Sequence, residues 1–309
     1  MRTLILTNSY DGTADLLIHH LGTQRVFRLN FDLWFDYQIE ITSSNFTLSS
    51  PSTSIEDVDI TKMYWRKPFA SEFQSLNDTE TDYLESESKA VLRDIFSIGE
   101  RTNRAILACP SASLNLGKLV QARIARKFFT VPPWQFTSNR QPKDVGPVVV
   151  KSLSSAMVAG DRVLFTTATR TENLDPRYPW YCQALVEARY DLTVVYAYGT
   201  LFAYALDRTS FNGVDWRRFG IETSGSWFRV KVTDSFVTRV RQFMCACGLD
   251  YGRLDFLSQS TTFFDDVVFL EVNSNGQWAW LDLDRSSGLL DHMIQIVDPA
   301  TVIPTRWRL

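Results

Sequence analysis

Two short segments constrain this chain more than any others: Gly252-Arg253-Leu254-Asp255-Phe256 and Phe269-Leu270-Glu271-Val272-Asn273-Ser274-Asn275-Gly276-Gln277. Each sets acceptor side chains inside an otherwise apolar, strand-like run. Residues i and i+2 of a strand face one side, so Glu271 and Asn273 point together while Leu270 and Val272 point the other way. The polar, turn-like stretch Ser258–Asp266 between them makes a hairpin that brings Asp255 beside that pair. Two carboxylates and an amide oxygen on one spot repel one another unless a cation sits between them. Such a pattern also fits a solvated hairpin face. The apolar neighbours Leu254, Phe256, Phe269, Leu270 and Val272 favour the cation, because a carboxylate in apolar surroundings needs a partner. Magnesium takes oxygen ligands, keeps several waters and is usually shared with substrate phosphates, so the hairpin reads as a nucleotide site.

At 309 residues and 45% hydrophobic, the chain can bury a large core in two or three lobes. A net charge of −3 argues against nucleic acid or an anionic membrane as the main partner. No apolar run approaches the roughly 18 to 20 residues of a membrane span. The opening Met1–Thr7 reads as a short strand rather than a secretory signal, so the cytoplasm is the expected compartment. Four cysteines are too few for a disulfide framework. They read as small buried apolar residues.

Along the chain, Leu4–Thr7 reads as a strand, and Asp11 or Thr13 caps a helix over Ala14–Leu21 that ends at Gly22. Arg25–Leu29 and Lys62–Trp65 read as strands, and the Ser/Thr/Asp-rich stretch 43–58 as an irregular connection. The apolar spacing of Leu84, Val91, Leu92, Ile95, Ile98 and Ile106 predicts a long helix within 78–107. Asn115–Phe129 is expected to be one amphipathic helix carrying Lys118. β-Rich stretches follow at 134–137, 148–151, 163–169, 181–186, 193–198 and 201–206. Helices are expected over 237–247 and 288–297. A mixed order of this kind suggests α+β lobes around a cleft.

Lys151 follows three valines, so its amine must reach something polar or snorkel to the surface. Lys118 follows Leu116-Gly117, which lacks the G-x-x-x-x-G-K-[ST] spacing of a P-loop. Tyr181–Val186 is an apolar strand running into charge at Glu187 and Asp191. Its backbone could face an adenine, with a carboxylate beyond for the ribose, as could any edge strand.

Taken in order, these pieces resemble the ATP-grasp superfamily, its RimK-like peptide ligases, and among them the graspetide synthetases that mature microviridin-type ribosomal peptides. The residues that carry the resemblance begin with Tyr64-Trp65-Arg66-Lys67-Pro68 and Asn115-Leu116-Gly117-Lys118-Leu119-Val120-Gln121 before Val131-Pro132. Val150-Lys151-Ser152-Leu153, Gln183-Ala184-Leu185-Val186 and Tyr190-Asp191-Leu192 follow. Asp215-Trp216-Arg217, Tyr251–Asp255 and Phe269–Trp280 complete the set.

The resemblance implies an α+β ATP-grasp fold: an N-terminal α/β pre-grasp lobe (1–110), a small central lobe (111–186) and a C-terminal lobe (187–309). The nucleotide would lie between the latter two. It implies that Lys118 and Lys151 hold the phosphates, that Gln183, Ala184 and Val186 line the adenine, and that Glu187 binds the ribose. Asp255, Glu271 and Asn273 match the Mg2+ ligands, for two ions with ATP. Arg217 would act with Lys151 at the reacting centre, toward the γ-phosphate or the substrate carboxylate. Relatives carry Asp/Glu-Leu-Arg where this chain reads Asp191-Leu192-Thr193. A guanidinium is therefore missing at 193, for which Arg217, Arg189 or Arg208 would compensate.

The activity so implied is ATP-dependent activation of a peptide carboxylate as an acyl phosphate, followed by ester or amide crosslinking within a ribosomal precursor peptide. The partner would have a leader and an acidic/hydroxyl or lysine core, and the enzyme would be a homodimer. The leader would meet either the helix within 78–107 or the aromatics Phe31, Trp34, Phe35 and Tyr37, which also read as core. Two alternatives stand beside this: a RimK-like ligase adding amino acids to a peptide or small acid, and a non-catalytic nucleotide-binding protein.

Overall fold

The computed structural model describes residues 1–70, 78–107, 110–154, 157–158, 162–163, 165–211, 213–219 and 226–300. The chain divides into two compact units, one of Met1–Ser111 with Gln277–Leu309 and one of Ala112–Gly276.

In the first unit a βαβ start dictates the rest. Strand β1 (Arg2–Thr7) is an unbroken apolar run, with Leu4, Ile5 and Leu6 fully buried, as expected of a strand covered on both faces. Helix α1 (Gly12–Leu21) follows, its first turn capped by the Asp11 side chain accepting from Thr13 N, and Gly22 leaves it at φ 84°. β2 (Val26–Asn30) returns parallel to β1.

The 43–58 stretch is not irregular. β3 (Gln38–Ile41), β4 (Phe46–Ser49) and β5 (Ser54–Glu56) form an antiparallel sheet, because Phe46, Leu48 and Ile55 alternate inward between two hydroxyl-rich turns. β6 (Ile60–Trp65) and β7 (Ala105–Ile106) complete a parallel sheet in the order β2-β1-β6-β7. Helix α2 (Asp78–Arg101) lays Leu92, Ile95 and Phe96 on that core. Phe31 is buried and Trp34 and Tyr37 pack against the same core, while Phe35 is exposed. The C-terminal helix Leu289–Val297 also belongs to this unit.

The second unit carries two antiparallel sheets. Its first helical segment is broken where one helix was expected. α3 (Pro110–Asn115) stops, Gly117 adopts an extended conformation, and α4 (Lys118–Ala125) starts afresh, which puts Lys118 in a first turn. β8 (Trp134–Thr137), β9 (Pro147–Lys151), β12 (Thr167–Arg170) and β13 (Trp180–Ala184) form a sheet in the order β12-β9-β13-β8. The short pair β10 (Met157–Val158) and β11 (Arg162–Val163) lies between β9 and β12 in sequence. The larger sheet joins β14 (Tyr190–Ala197), β15 (Thr200–Asp207), β16 (Phe228–Val230), β17 (Tyr251–Ser258) and β18 (Val267–Asn273) in the order β16-β15-β14-β17-β18.

Helix α5 (Asp234–Cys247), capped by Thr233 and ended by Gly248 in the left-handed region, packs with α4 on this sheet. Phe129 is the hub there, with Phe236, Phe243, Phe256 and Phe269 all within 6.1 Å between ring centres. The cysteines are less uniform than their type suggests. Cys182 is buried, Cys247 is half-buried with its thiol pushed up to about 12 by burial, and Cys245 is exposed on the last turn of α5. Cys109 lies outside the described residues.

Candidate functional site

The hairpin forms. β17 and β18 are antiparallel neighbours, with Asp255 opposite Glu271 and Arg253 opposite Asn273. The register shifts just after Asp255, so Phe256 faces Phe269 and the extra residue, Leu270, is freed from the alternation. Val272 enters the core as expected, whereas Leu270 turns to the wall of the cavity, because the bulge reverses its side. Asn273 Nδ2 donates to Asp255 Oδ2 at 3.1 Å and to Glu271 Oε1 at 3.4 Å.

Lys118 reaches this spot through its helix. Three residues on, the buried Gln121 accepts from Val272 N at 2.6 Å and so pins α4 to β18. That sets Lys118 Nζ 3.2 Å from Glu271 Oε2. Lys151 closes β9 opposite Tyr181 and lines the same cavity. Burial pushes its amine below the usual lysine range, with Lys118 adding to the effect and Glu271 opposing it. Glu271 shows the reverse balance. Burial would raise its carboxyl, but Lys118, Lys151 and Arg253 together hold it down at about 2.

The cavity encloses about 1100 Å³, open mouth included. Gln183, Ala184 and Val186 line one wall, together with Leu185. Glu187 is exposed just beyond them, and its carbonyl accepts from Gln259. Gln183 is buried, and neither of its amide atoms has a well-formed hydrogen bond, the Tyr181 hydroxyl being a loose partner. A poorly satisfied amide inside a cavity is an expensive arrangement without a ligand. Trp216, Trp227 and Arg217 line the cavity too, the last gripped by Asp215 through Nε at 2.8 Å and Nη2 at 2.5 Å.

Two features escaped the sequence reading. Arg253 Nη2 lies 3.1 Å from Asp255 Oδ2. The two-residue spacing places both on one strand face, a signal that was available. Asp191, rather than Glu187, lines the cavity, paired with Arg208 at 2.8 Å. Thr193 Oγ1 donates to Asp255 Oδ1 at 2.9 Å, which leaves it no free part in handling charge.

The donor set suits a hard cation. Among the described residues no group of three or more His, Cys, Asp or Glu converges. A metal here would therefore rest on Asp255, Glu271, the Asn273 amide oxygen and oxygens brought by its ligand, the kind of incomplete cage that suits magnesium with phosphate. No helix among the described residues is long and apolar enough to cross a membrane.

No family model matches the chain, and no curated protein does either. Solved structures do. A RiPP-associated ATP-grasp ligase of Chryseobacterium gregarium, in complex with ADP and a leader and core peptide, aligns over 97% of this chain and 98% of its own, at 20% identity and a TM-score of 0.80. The macrocyclase MdnC of Microcystis aeruginosa MRC, bound with precursor peptide MdnA, aligns over 96% and 99%, at 18% identity and 0.75. The ATP-grasp ligase PsnB, complexed with minimal precursor, Mg and ADP, aligns over 96% and 97%, at 16% identity and 0.67. This chain therefore has the ATP-grasp fold over nearly its whole length.

Proposed function

We propose that this chain is an ATP-dependent ligase that activates side-chain carboxylates of a ribosomal precursor peptide as acyl phosphates and converts them to ester or amide crosslinks. The observation that carries this reading is the convergence of Lys118, Lys151, Asp255 and Glu271 on one cavity that Gln183 also lines, with Asn273 bonded to both carboxylates. Structural neighbours with the same fold were solved with ADP and with peptide, which supports the same ligand classes here.

In this reading Lys118 leaves Glu271 for the phosphates, and Lys151 approaches them from β9. Gln183, Ala184 and Val186 hold the adenine, and Glu187 the ribose. Asp255, Glu271 and Asn273 would hold Mg2+, whose chemistry is to neutralise and align the triphosphate oxygens. The two lobes that close on the nucleotide would be 111–186 and the part of 187–309 that lies within the second unit. A carboxylate oxygen of the peptide bonds to the γ-phosphorus as the bond to the bridging oxygen breaks, and ADP departs. A hydroxyl or amine then attacks the acyl carbon, phosphate leaves, and one proton is released. Alignment and charge neutralisation are the protein's task, and no nucleophilic Ser or Cys is needed. We place the reaction in the cytoplasm and expect a homodimer.

The test is incubation with Mg2+, ATP and synthetic peptides rich in Thr, Ser or Lys and in Asp or Glu, read by ADP release and mass. Loss of one water per bond supports crosslinking. A gain of whole residues points instead to the amino-acid-adding alternative. Nucleotide bound with every peptide returned unchanged and no ADP formed sinks the ligase reading.

A further inference from the structure

Two arginine–aspartate pairs line the cavity, and they differ electrically. Arg217 is held by Asp215 in a two-point grip. Burial would lift the Asp215 carboxyl, but the Arg217 hydrogen bonds and the Thr166 N–H hold it below the usual carboxylate range. Asp215 is thus ionised at neutral pH, and the Arg217 charge is matched. Arg208 starts the turn after β15. It donates through Nη1 to Asp191 Oδ2 and through Nη2 to Gly213 O, both at 2.8 Å, and lies over the Phe211 ring at 5.2 Å.

At Asp191 the balance is opposite. Burial dominates, Arg208 offsets it only in part, repulsion from Asp255 and Asp215 adds to it, and the carboxyl is pushed up to about 7. Asp191 is therefore a weaker counter-ion to Arg208 than Asp215 is to Arg217. Arg189 offers no rival, since it is exposed and pairs with Asp207. Thr193, on the same strand face as Asp191, brings only a hydroxyl, already given to Asp255.

We propose that Arg208 is the receptor for the peptide carboxylate to be activated, with Asp191 as its displaceable counter-ion. The proposal rests on the ligase reading above. A carboxylate must enter a cavity that already holds a triphosphate, and a fixed guanidinium offsets that repulsion while its two-pronged geometry aims one oxygen at the phosphorus. Gly213 and Phe211 hold the Arg208 side chain through contacts separate from that to Asp191, so a substrate can take the place of Asp191 without the guanidinium losing its position.

The experiment traps the acyl phosphate with hydroxylamine, using ATP, Mg2+ and a synthetic threonine-rich peptide that carries one glutamate. The same peptide with glutamine is the competitor. Expected for Arg208→Gln is a rise of about 10- to 100-fold in peptide KM, an unchanged KM for ATP, and loss of the wild-type preference for glutamate over glutamine as competitor. Arg208→Lys should fall between the two. Asp191→Asn/Arg208→Gln removes both charges together and must show the same peptide defect, which covers the case in which the single variant misfolds around an orphaned carboxyl. Folded variants with unchanged peptide KM and intact glutamate preference overturn the proposal and leave the ligase reading standing. A wild-type protein that binds ATP yet forms no hydroxamate overturns the ligase reading, and the proposal with it.

Discussion

Asp255 and Glu271 face each other across the β17–β18 ladder, and the strand register slips immediately after Asp255. The bulge fixes how far the acidic pair extends: one residue beyond it, the facing side chains are two buried phenylalanines. The two carboxylates are met by Lys118 on one and Arg253 on the other.

Glu271→Gln keeps the shape of this pair and removes one charge. ADP formation should fall at least about 100-fold, as expected for loss of a direct cation ligand. Nucleotide affinity should lose its dependence on added Mg2+, which titration calorimetry with and without the metal would show. Turnover at the wild-type rate would remove the hairpin from the site.

Lys151 carries a second consequence. Its amine is held below the usual lysine range, mainly by burial, so its positive charge is lost at a lower pH than that of an exposed lysine. Nucleotide affinity in the wild type should weaken as pH rises, starting at a lower pH than an exposed lysine would give, because the phosphates face a progressively neutral amine. Lys151→Arg, whose guanidinium stays charged as pH rises, should flatten the curve. Equal slopes in the two proteins would show that Lys151 does not face the phosphates.

Much of this site was legible in the sequence because period two and period 3.6 are local rules. Glu271 and Asn273 fall on one strand face by spacing alone, the turn-like stretch before them announces the hairpin that brings Asp255 alongside, and the Asp11 cap and Gly22 stop of α1 stand beside a plain helical run. What stayed hidden depends on register and on breaks. Leu270 changes sides through a bulge that no spacing announces. The 43–58 strands were masked by hydroxyl-rich turns that outnumber their three inward residues. Asp191 meets Arg208 through the β14–β15 pairing, a contact between strand ends that composition cannot specify.

Gln183 offers a test in which stability and binding move apart. Its amide is buried with no well-formed hydrogen bond, only a loose contact with the Tyr181 hydroxyl. Gln183→Leu should relieve a poorly satisfied polar group worth about 1–3 kcal/mol and raise Tm by a few degrees. ATP affinity should drop by roughly 10-fold, the loss of about one hydrogen bond to the base. A variant that melts lower while binding ATP normally would show that the amide is structural.

Gly276 closes the acidic hairpin from behind. A Cβ there would come within 2.5 Å of Arg253 Cβ and 3.2 Å of Asn273 O, while Tyr251 Oη already donates to Gly276 O at 2.5 Å. Gly276→Ala must therefore push apart the residues that flank Asp255. A cost of about 1–3 kcal/mol is expected, together with weakened Mg2+-dependent nucleotide binding. Unchanged stability and binding would mean that the turn adjusts freely.

Asp191 makes a pH signature that can be separated from that of Glu271. Its carboxyl rises from the ordinary 3.8 to about 7 in the folded chain. An unfolded chain gives up that proton near 4 while the folded one keeps it to about 7. The proton thus favours the fold in full below about 4, and its contribution is lost progressively as pH climbs to about 7. Glu271, held down at about 2, acts in the other direction and in another window: its contribution is complete above about 4.5 and fades as pH falls toward 2. Between pH 4.5 and 7.5 the Asp191 effect should therefore stand alone of the two. Over that window wild-type stability should fall relative to Asp191→Asn by about 3 kcal/mol, the product of the titrated span and 1.36 kcal/mol per unit. Urea titrations at the two pH values measure it directly. Parallel curves for the two proteins would place Asp191 in an ordinary, fully ionised pair with Arg208.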